Sequence, residues 1–265
     1  DLSIIGNMNL SAILAGIVLS RMTAEAGSPV ALPIALAVLI ALSVGTVAGL
    51  INGLLVARIG IPPILATLGT SQIYLGLAIV VTGGASVHGF PTAFSFIGNG
   101  TLFGLPFPVL LFAVLAVAVA VVLGKTAFGA KVYLLGTNPQ AARFAGLRSS
   151  RLLIGSYCMA GFLSGAAGVL IMSRTNSIRA DFGASYLLLT ILVAVLGGIN
   201  PYGGFGKVAG VILAVLALQF LSSGFNMLRF SNFAREFIWG ALLLFVMVLG
   251  TVRFPWRRGV KRRKT

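Results

Sequence analysis

Among 265 residues only four are acidic, one is histidine and one is cysteine. Each shortage excludes a class of chemistry. Cys158 stands alone in an apolar run, so no disulfide can form within the chain, and it is expected to be a small packing residue. His88 is the lone histidine, set in a glycine-rich loop without a second His or Cys nearby, so a metal centre has no ligand set there. The carboxylates are Asp1, Glu25, Asp181 and Glu236, the last three near the ends of apolar runs. A carrier driven by protons or sodium usually needs a buried carboxylate or an unwound ion site, and this scarcity weakens that class.

Catalytic signatures are missing as well. The stretch "GGFGKVAG" at 203–210 looks like a phosphate loop, but that motif needs Gly five residues before its Gly-Lys pair and Ser or Thr after it. Here those positions hold Pro201 and Val208. No Gly-x-Ser-x-Gly elbow, zinc-protease helix or cysteine pair occurs. The chain is not expected to be an enzyme, to bind a metal or to carry a cofactor.

Hydrophobic residues make up 58% and charged residues only 9%, with a mean hydropathy of +1.06. Soluble domains carry about 25% charged residues. Roughly 20 apolar residues span a bilayer as a helix, and eight such runs are present, at about 4–20, 30–56, 63–82, 107–124, 152–172, 186–200, 208–225 and 236–252. The expectation is an all-α integral membrane protein, a polytopic helical bundle. Even spacing and the absence of ten-residue alternating segments argue against a barrel.

Net charge is +15, yet seven basic residues crowd positions 253–264 after the last apolar run. Such a cluster reads as a topology signal and an anchor to lipid headgroups rather than a nucleic-acid site. If this tail is cytoplasmic, alternation of the spans puts Arg58, the 125–151 loop and Lys207 on the same side, with 14 of the 19 Lys and Arg. That asymmetry obeys the positive-inside rule. Gly45, Gly49 and Gly53 recur four apart, as do Gly161 and Gly165, with Ala160, Ser164 and Gly168 on an adjacent stripe. Small residues at this spacing let membrane helices approach closely, within one subunit as the first reading and between subunits as the second.

The segment "FGAKVYLLGTNPQAARFAGL", residues 128–147, is the polar interruption in this pattern. Asn138 is a suitable N-cap, Pro139 fits the first helical position, and Gly146 suits a left-handed C-terminal residue. A helix of about two turns follows, too short to cross a membrane. Its exposed faces are expected to be small, with Ala141, Ala142 and Ala145 around a bulky Phe144. That knob could fill a groove in a soluble partner or rest on lipid headgroups.

Four blocks resemble one known family: the opening "DLS", "GLINGLLVARIGIPPILATLGT" at 49–70, the 128–147 segment, and "LGGINPYGGFGKVAG" at 196–210. They resemble permease subunits of bacterial ABC importers of the ribose and autoinducer-2 type, related to branched-chain amino acid permeases. The resemblance runs over essentially the whole chain and implies a permease domain over 1–252, with 125–151 as its coupling loop, and a basic cytoplasmic tail over 253–265. It implies location in the bacterial inner membrane with a cytoplasmic C-terminus. It further implies cytoplasmic ATPase subunits, a second permease subunit, an extracytoplasmic solute-binding protein and surrounding membrane lipid as partners, with no nucleic acid.

Carried over residue by residue, the third block looks like the family's ATPase-coupling segment, which points to Gly136, Asn138, Ala141, Ala142 and Gly146, flanked by Arg143 and Phe144. The fourth looks like its glycine-rich turn, with Gly197, Gly198, Gly203, Gly204 and Gly206 in a structural or gating role. Polar residues on apolar runs, Asn52, Thr67, Thr70, Gln72, Thr190 and Gln219, are candidates to line the translocation path or, equally, to tie helices together. The family usually has about two helices before "DLS", ten spans in all, so the sequence reads as lacking an N-terminal part. The segment "IIGNMNL" also departs from the family's small-residue pattern.

Overall fold

The computed structural model describes residues 1–23, 30–200 and 203–251. Glu25 and the basic tail at 253–265 lie outside the described residues. The chain forms two units, 1–187 and 188 onward. Each of the eight expected spans falls on a helix: α1 Ile4–Met22, α2 Ala31–Leu54, α3 Pro63–Thr82, α5 Phe107–Lys125, α8 Ser149–Thr175, α9 Tyr186–Leu196, α10 Val208–Met227 and α11 Asn232–Thr251. Among the described residues, six of them (α1, α2, α3, α5, α8 and α10) are long and apolar enough to cross a membrane.

In the first unit, α2 and α8 meet backbone to backbone. A Cβ on Gly53 would lie 2.8 Å from Ile154 Cα, and one on Gly45 would lie 3.0 Å from Gly165 Cα. Gly49 faces the Tyr157 carbonyl and Gly161, with no room for a side chain. On the adjacent stripe, a Cβ on Gly168 would lie 2.7 Å from the Met8 carbonyl oxygen of α1. Both small-residue stripes therefore pack within one subunit, as the first reading held. Between these helices, polar side chains satisfy backbone groups that lipid cannot. Asn7 donates to the Gly45 carbonyl at 3.1 Å, and the Tyr74 hydroxyl donates to the Ala48 carbonyl at 2.9 Å.

At one end, the 83–106 loop is built of short pieces: strand β1 Val87–His88, helix α4 Ser95–Asn99 and the hairpin of β2 Thr101–Leu102 with β3 Leu105–Pro106. The hairpin turn has positive φ at Phe103 and Gly104, the conformation its two-residue turn requires. His88 is exposed. Ser173 pins this loop to α8, donating to the Phe94 carbonyl at 2.6 Å and accepting from the Gly98 amide at 2.8 Å. Strand β4, Ser177–Ile178, pairs antiparallel with β1.

The span expected at 186–200 is the one that differs. Helix α9 has 11 residues, about 16 Å, half of a hydrocarbon core of about 30 Å. Before it, the chain turns back along α1, where buried Asn9 donates to the carbonyls of Ala180 at 2.8 Å and Phe182 at 2.9 Å. Asn9 thus gives this non-helical stretch a donor for two of its backbone carbonyls. After α9, the Ile199 amide donates to Ala194 and the Gly198 amide to Val195, both at 3.0 Å, with Gly198 at φ +77°. This is a Schellman stop, which the Gly197-Gly198 pair makes possible.

In the second unit α10 ends the same way. The Phe230 amide donates to Phe225 at 3.0 Å while Arg229 takes a φ of +56°. Leu192, Leu218 and Trp239 form its core.

Replacing Gly49 with Val should abolish the folded, monodisperse protein in detergent, because the added carbons fall on the α8 backbone. Replacing Gly69 with Ala, on α3 where a Cβ meets nothing within 4 Å, should leave the melting temperature unchanged or raised, since Ala is the better helix former by about 1 kcal/mol. Thermal melts followed by size-exclusion profile check both.

Candidate functional site

The polar interruption folds as its capping residues dictate. Helix α7 runs Pro139–Phe144. Asn138 accepts from the Ala141 amide through Oδ1 at 3.0 Å and donates its own amide to the Leu134 carbonyl at 3.2 Å. One residue thus ends the preceding helix and starts the next. At the other end, the Leu147 amide donates to Ala142 and the Gly146 amide to Arg143, both at 3.0 Å, with Gly146 at φ +75°. The helix is closed at both ends by hydrogen bonds.

Two features were not foreseen. The residues before α7 are not a loop but an 11-residue helix, α6, Ala127–Thr137, with Gly136 in its last turn. Thr126 makes the corner from α5, donating to the Val122 carbonyl at 2.6 Å and accepting from the Gly129 amide at 3.3 Å. Phe128, Val132, Leu134 and Leu135 gave a weak apolar pattern that two basic residues obscured. The second difference is Ala142, expected on an exposed face and found 5% exposed. It turns inward because α7 packs on its own chain through that residue, leaving Ala141, Arg143 and Phe144 outward. Phe144 is 92% exposed.

The residues proposed for a membrane path separate into two groups. Asn52, Thr67 and Thr70 are buried. The Thr70 hydroxyl donates to Asn52 Oδ1 at 2.7 Å, and Asn52 Nδ2 donates to Ser3 Oγ at 2.7 Å. Ser3 in turn donates to the Asp1 carboxylate at 2.7 Å. This relay links the start of α1 to α2 and α3 with every polar atom of Asn52 used. Thr67 donates to the Pro63 carbonyl of its own helix at 2.8 Å. Gln72 and, in the second unit, Gln219 are exposed, while Thr190 is half-buried on α9. Within the first unit the structure brings Asn52 and Thr70 together, while Thr67 bonds within its own helix and Gln72 is exposed.

The second unit also holds the glycine turn. Beyond the α9 stop, a Cβ on Gly197 would lie 2.9 Å from Val211 Cα, so α9 and α10 touch there. Gly203, Gly204 and Gly206 have φ of +92°, +82° and +156°, values that side-chain-bearing residues resist. The Asn200 amide donates to the Phe205 carbonyl at 3.0 Å across this turn.

Among the described residues no group of three His, Cys, Asp or Glu could hold a metal. An ion pair is formed by exposed Arg179 and Asp181 at 2.6 Å, and the guanidinium's hydrogen bond holds the Asp181 carboxyl below its ordinary range.

Residues 1–247 match the family model described as the branched-chain amino acid transport system permease component. The chain is 38% identical over 254 residues to an autoinducer 2 import system permease protein, LsrD, of Yersinia pseudotuberculosis, covering 94% of this chain and 74% of that one. A Yersinia pestis protein of the same name is 37% identical with the same coverage. That of Yersinia enterocolitica is 38% identical over 200 residues, 73% of this chain and 60% of its own length. The chain thus spans between 60% and 74% of the length of these relatives. No solved structure matches it significantly. The chain belongs to this permease family and to its ribose and autoinducer-2 type: it is a polytopic helical inner-membrane protein, a component of transport systems and not an enzyme.

Proposed function

We propose that this chain is the membrane permease subunit of an ATP-driven importer, forming with a second permease subunit the path for a monosaccharide or sugar-like solute. The observation that carries this reading is α7, a short helix capped at both ends that holds Phe144 outward on a basic face. A rigid knob of this kind suits a groove in a soluble ATPase. Arg143, Phe144 and Ala141 are the contacting residues. Gly136, Asn138, Ala142 and Gly146 set the helix in place. Closure of ATP-bound ATPase subunits would move α7 and switch the permeases between outward and inward openings. The named relatives are import permeases for autoinducer 2, which favours a small polyhydroxylated solute delivered by an extracytoplasmic binding protein. The same architecture could carry a branched-chain amino acid or a nucleoside, and the family description supports that second reading.

On this reading the α7 end and the basic tail face the cytoplasm. Arg58, Lys125, Lys131, Arg143, Arg148 and Arg151 then share that side with the tail, as the positive-inside rule requires. Asn52 and Thr70 serve as a tie between helices. The glycine turn at 197–206 acts as a structural or gating element, and Gln72, Thr190 and Gln219 remain the candidates for contact with the solute.

Affinity purification of the full chain should recover a soluble ATPase, and Phe144→Ala or Ala141→Glu should reduce its recovery at least about tenfold with the melting temperature unchanged, a loss typical of one central aromatic contact. Solute uptake into vesicles that persists without ATP would sink the importer reading. Uptake screened with sugars, branched-chain amino acids and nucleosides decides among solutes.

Asn138→Ala should speed amide exchange at Ala141 and Ala142 about fivefold, the equivalent of a lost cap worth about 1 kcal/mol. Asn52→Leu should lower thermal stability by about 1 to 2 kcal/mol, as expected for losing the interhelical bonds to Thr70 and Ser3. It should leave the KM for the imported solute unchanged; a changed KM with unchanged stability would place Asn52 in the path instead.

A further inference from the structure

Among the described residues, one end of the first unit carries exposed cations with little counter-charge. Arg58, Lys125, Lys131, Arg143, Arg148 and Arg151 are all exposed. They share this end: Ser150, between Arg148 and Arg151, donates to the Ala57 carbonyl beside Arg58 at 3.1 Å. Helices α6 and α7, which carry Lys131 and Arg143, follow directly from Lys125 at the end of α5. The carboxylate at this end is Asp1, whose side chain accepts from the Ser3 amide at 2.9 Å and the Ser3 hydroxyl at 2.7 Å and lies 3.3 Å from Asn52 Nδ2. Among the described residues the ion pair that forms, Arg179 with Asp181, stands at the opposite end, beyond β4.

We infer that the soluble partner docking over Phe144 presents an acidic surface, so that the aromatic knob supplies the buried contact and the surrounding cations steer and orient the encounter. This rests on the ATPase-docking reading and adds the chemistry of the partner's face. The arrangement is that of a protein interface: an exposed aromatic with an arginine beside it, held on a rigid element, ringed by charge. Aromatic and Arg side chains supply most hot spots, while rim charges govern association rate and its salt dependence. Lipid headgroups are the competing source of negative charge for Arg58 and Lys125, which lie at helix ends. Arg143, by contrast, sits beside the exposed Phe144 on the six-residue α7, an element too short to be a span.

The test uses the full chain in nanodiscs of zwitterionic phosphatidylcholine and the ATPase subunit recovered with it by affinity purification. Association and dissociation rates are measured at about 0.05 and about 0.5 M NaCl, spanning screening lengths on either side of 8 Å. The native chain should lose about tenfold or more in association rate at the higher salt. The exposed-site variant Lys131→Gln, Arg143→Gln, Arg148→Gln should associate slowly at both salts, with little remaining dependence. Phe144→Ala should instead speed dissociation and keep the salt dependence. A native association rate indifferent to salt, with binding still lost in Phe144→Ala, overturns the acidic partner face and leaves the importer reading intact. If no ATPase binds, both fall. A defect of the triple variant confined to nanodiscs containing anionic phosphatidylglycerol assigns the cations to lipid and overturns the inference.

Discussion

The first unit depends on the approach of α2 to α8 at a distance that only glycine allows. In a bilayer the hydrophobic effect gives helices little reason to associate, so contact must come from dispersion and from hydrogen bonds between chains of atoms brought very near. Gly45, Gly49, Gly161 and Gly165 provide that nearness, and Gly168 extends it to α1. Once the three backbones are close, Asn7 can reach the Gly45 carbonyl, and α1 is placed so that Asn9 covers Ala180 and Phe182. The irregular stretch ahead of α9 is held because those carbonyls have a donor.

Polar side chains inside this unit therefore serve structure first. Asn52 illustrates the point: an amide in an apolar helix looks like a solute ligand until its donors and acceptors are assigned, and then Ser3, Asp1 and Thr70 account for them. Ser173 similarly spends its hydroxyl on Phe94 and Gly98. In such a chain polarity alone does not distinguish a residue that ties helices together from one that meets a solute.

The sequence was most readable where local chemistry decides the outcome. Hydropathy located the helices because a span of apolar residues has one solution in lipid, and Asn138, Pro139 and Gly146 announced α7 because caps act over three or four residues. It was least readable where distant contacts decide. The outward Phe144 was expected, but nothing near Ala142 tells that α7 will turn that residue toward its own chain. The non-helical stretch ahead of α9 is held by Asn9, about 170 positions earlier in the chain. Helix α6 was hidden by Lys125 and Lys131, which mark a surface without saying whether the surface is helical. The partner's identity came from motif resemblance, since a two-turn helix carries too little information to name what it meets.

Helix α8 runs unbroken for 27 residues, about 40 Å. It starts just past the α7 cap and ends where Ser173 and Asn176 grip the 83–106 loop, Asn176 accepting from the Phe90 amide at 3.1 Å. Its close contact with α2 runs from Ser150, which donates to the Ala57 carbonyl, through Gly53 against Ile154 and Gly49 against Tyr157 to Gly45 against Gly165. Two rods joined along about four turns form one stiff beam. A push on the α7 end is then carried to the far loop without bending between them.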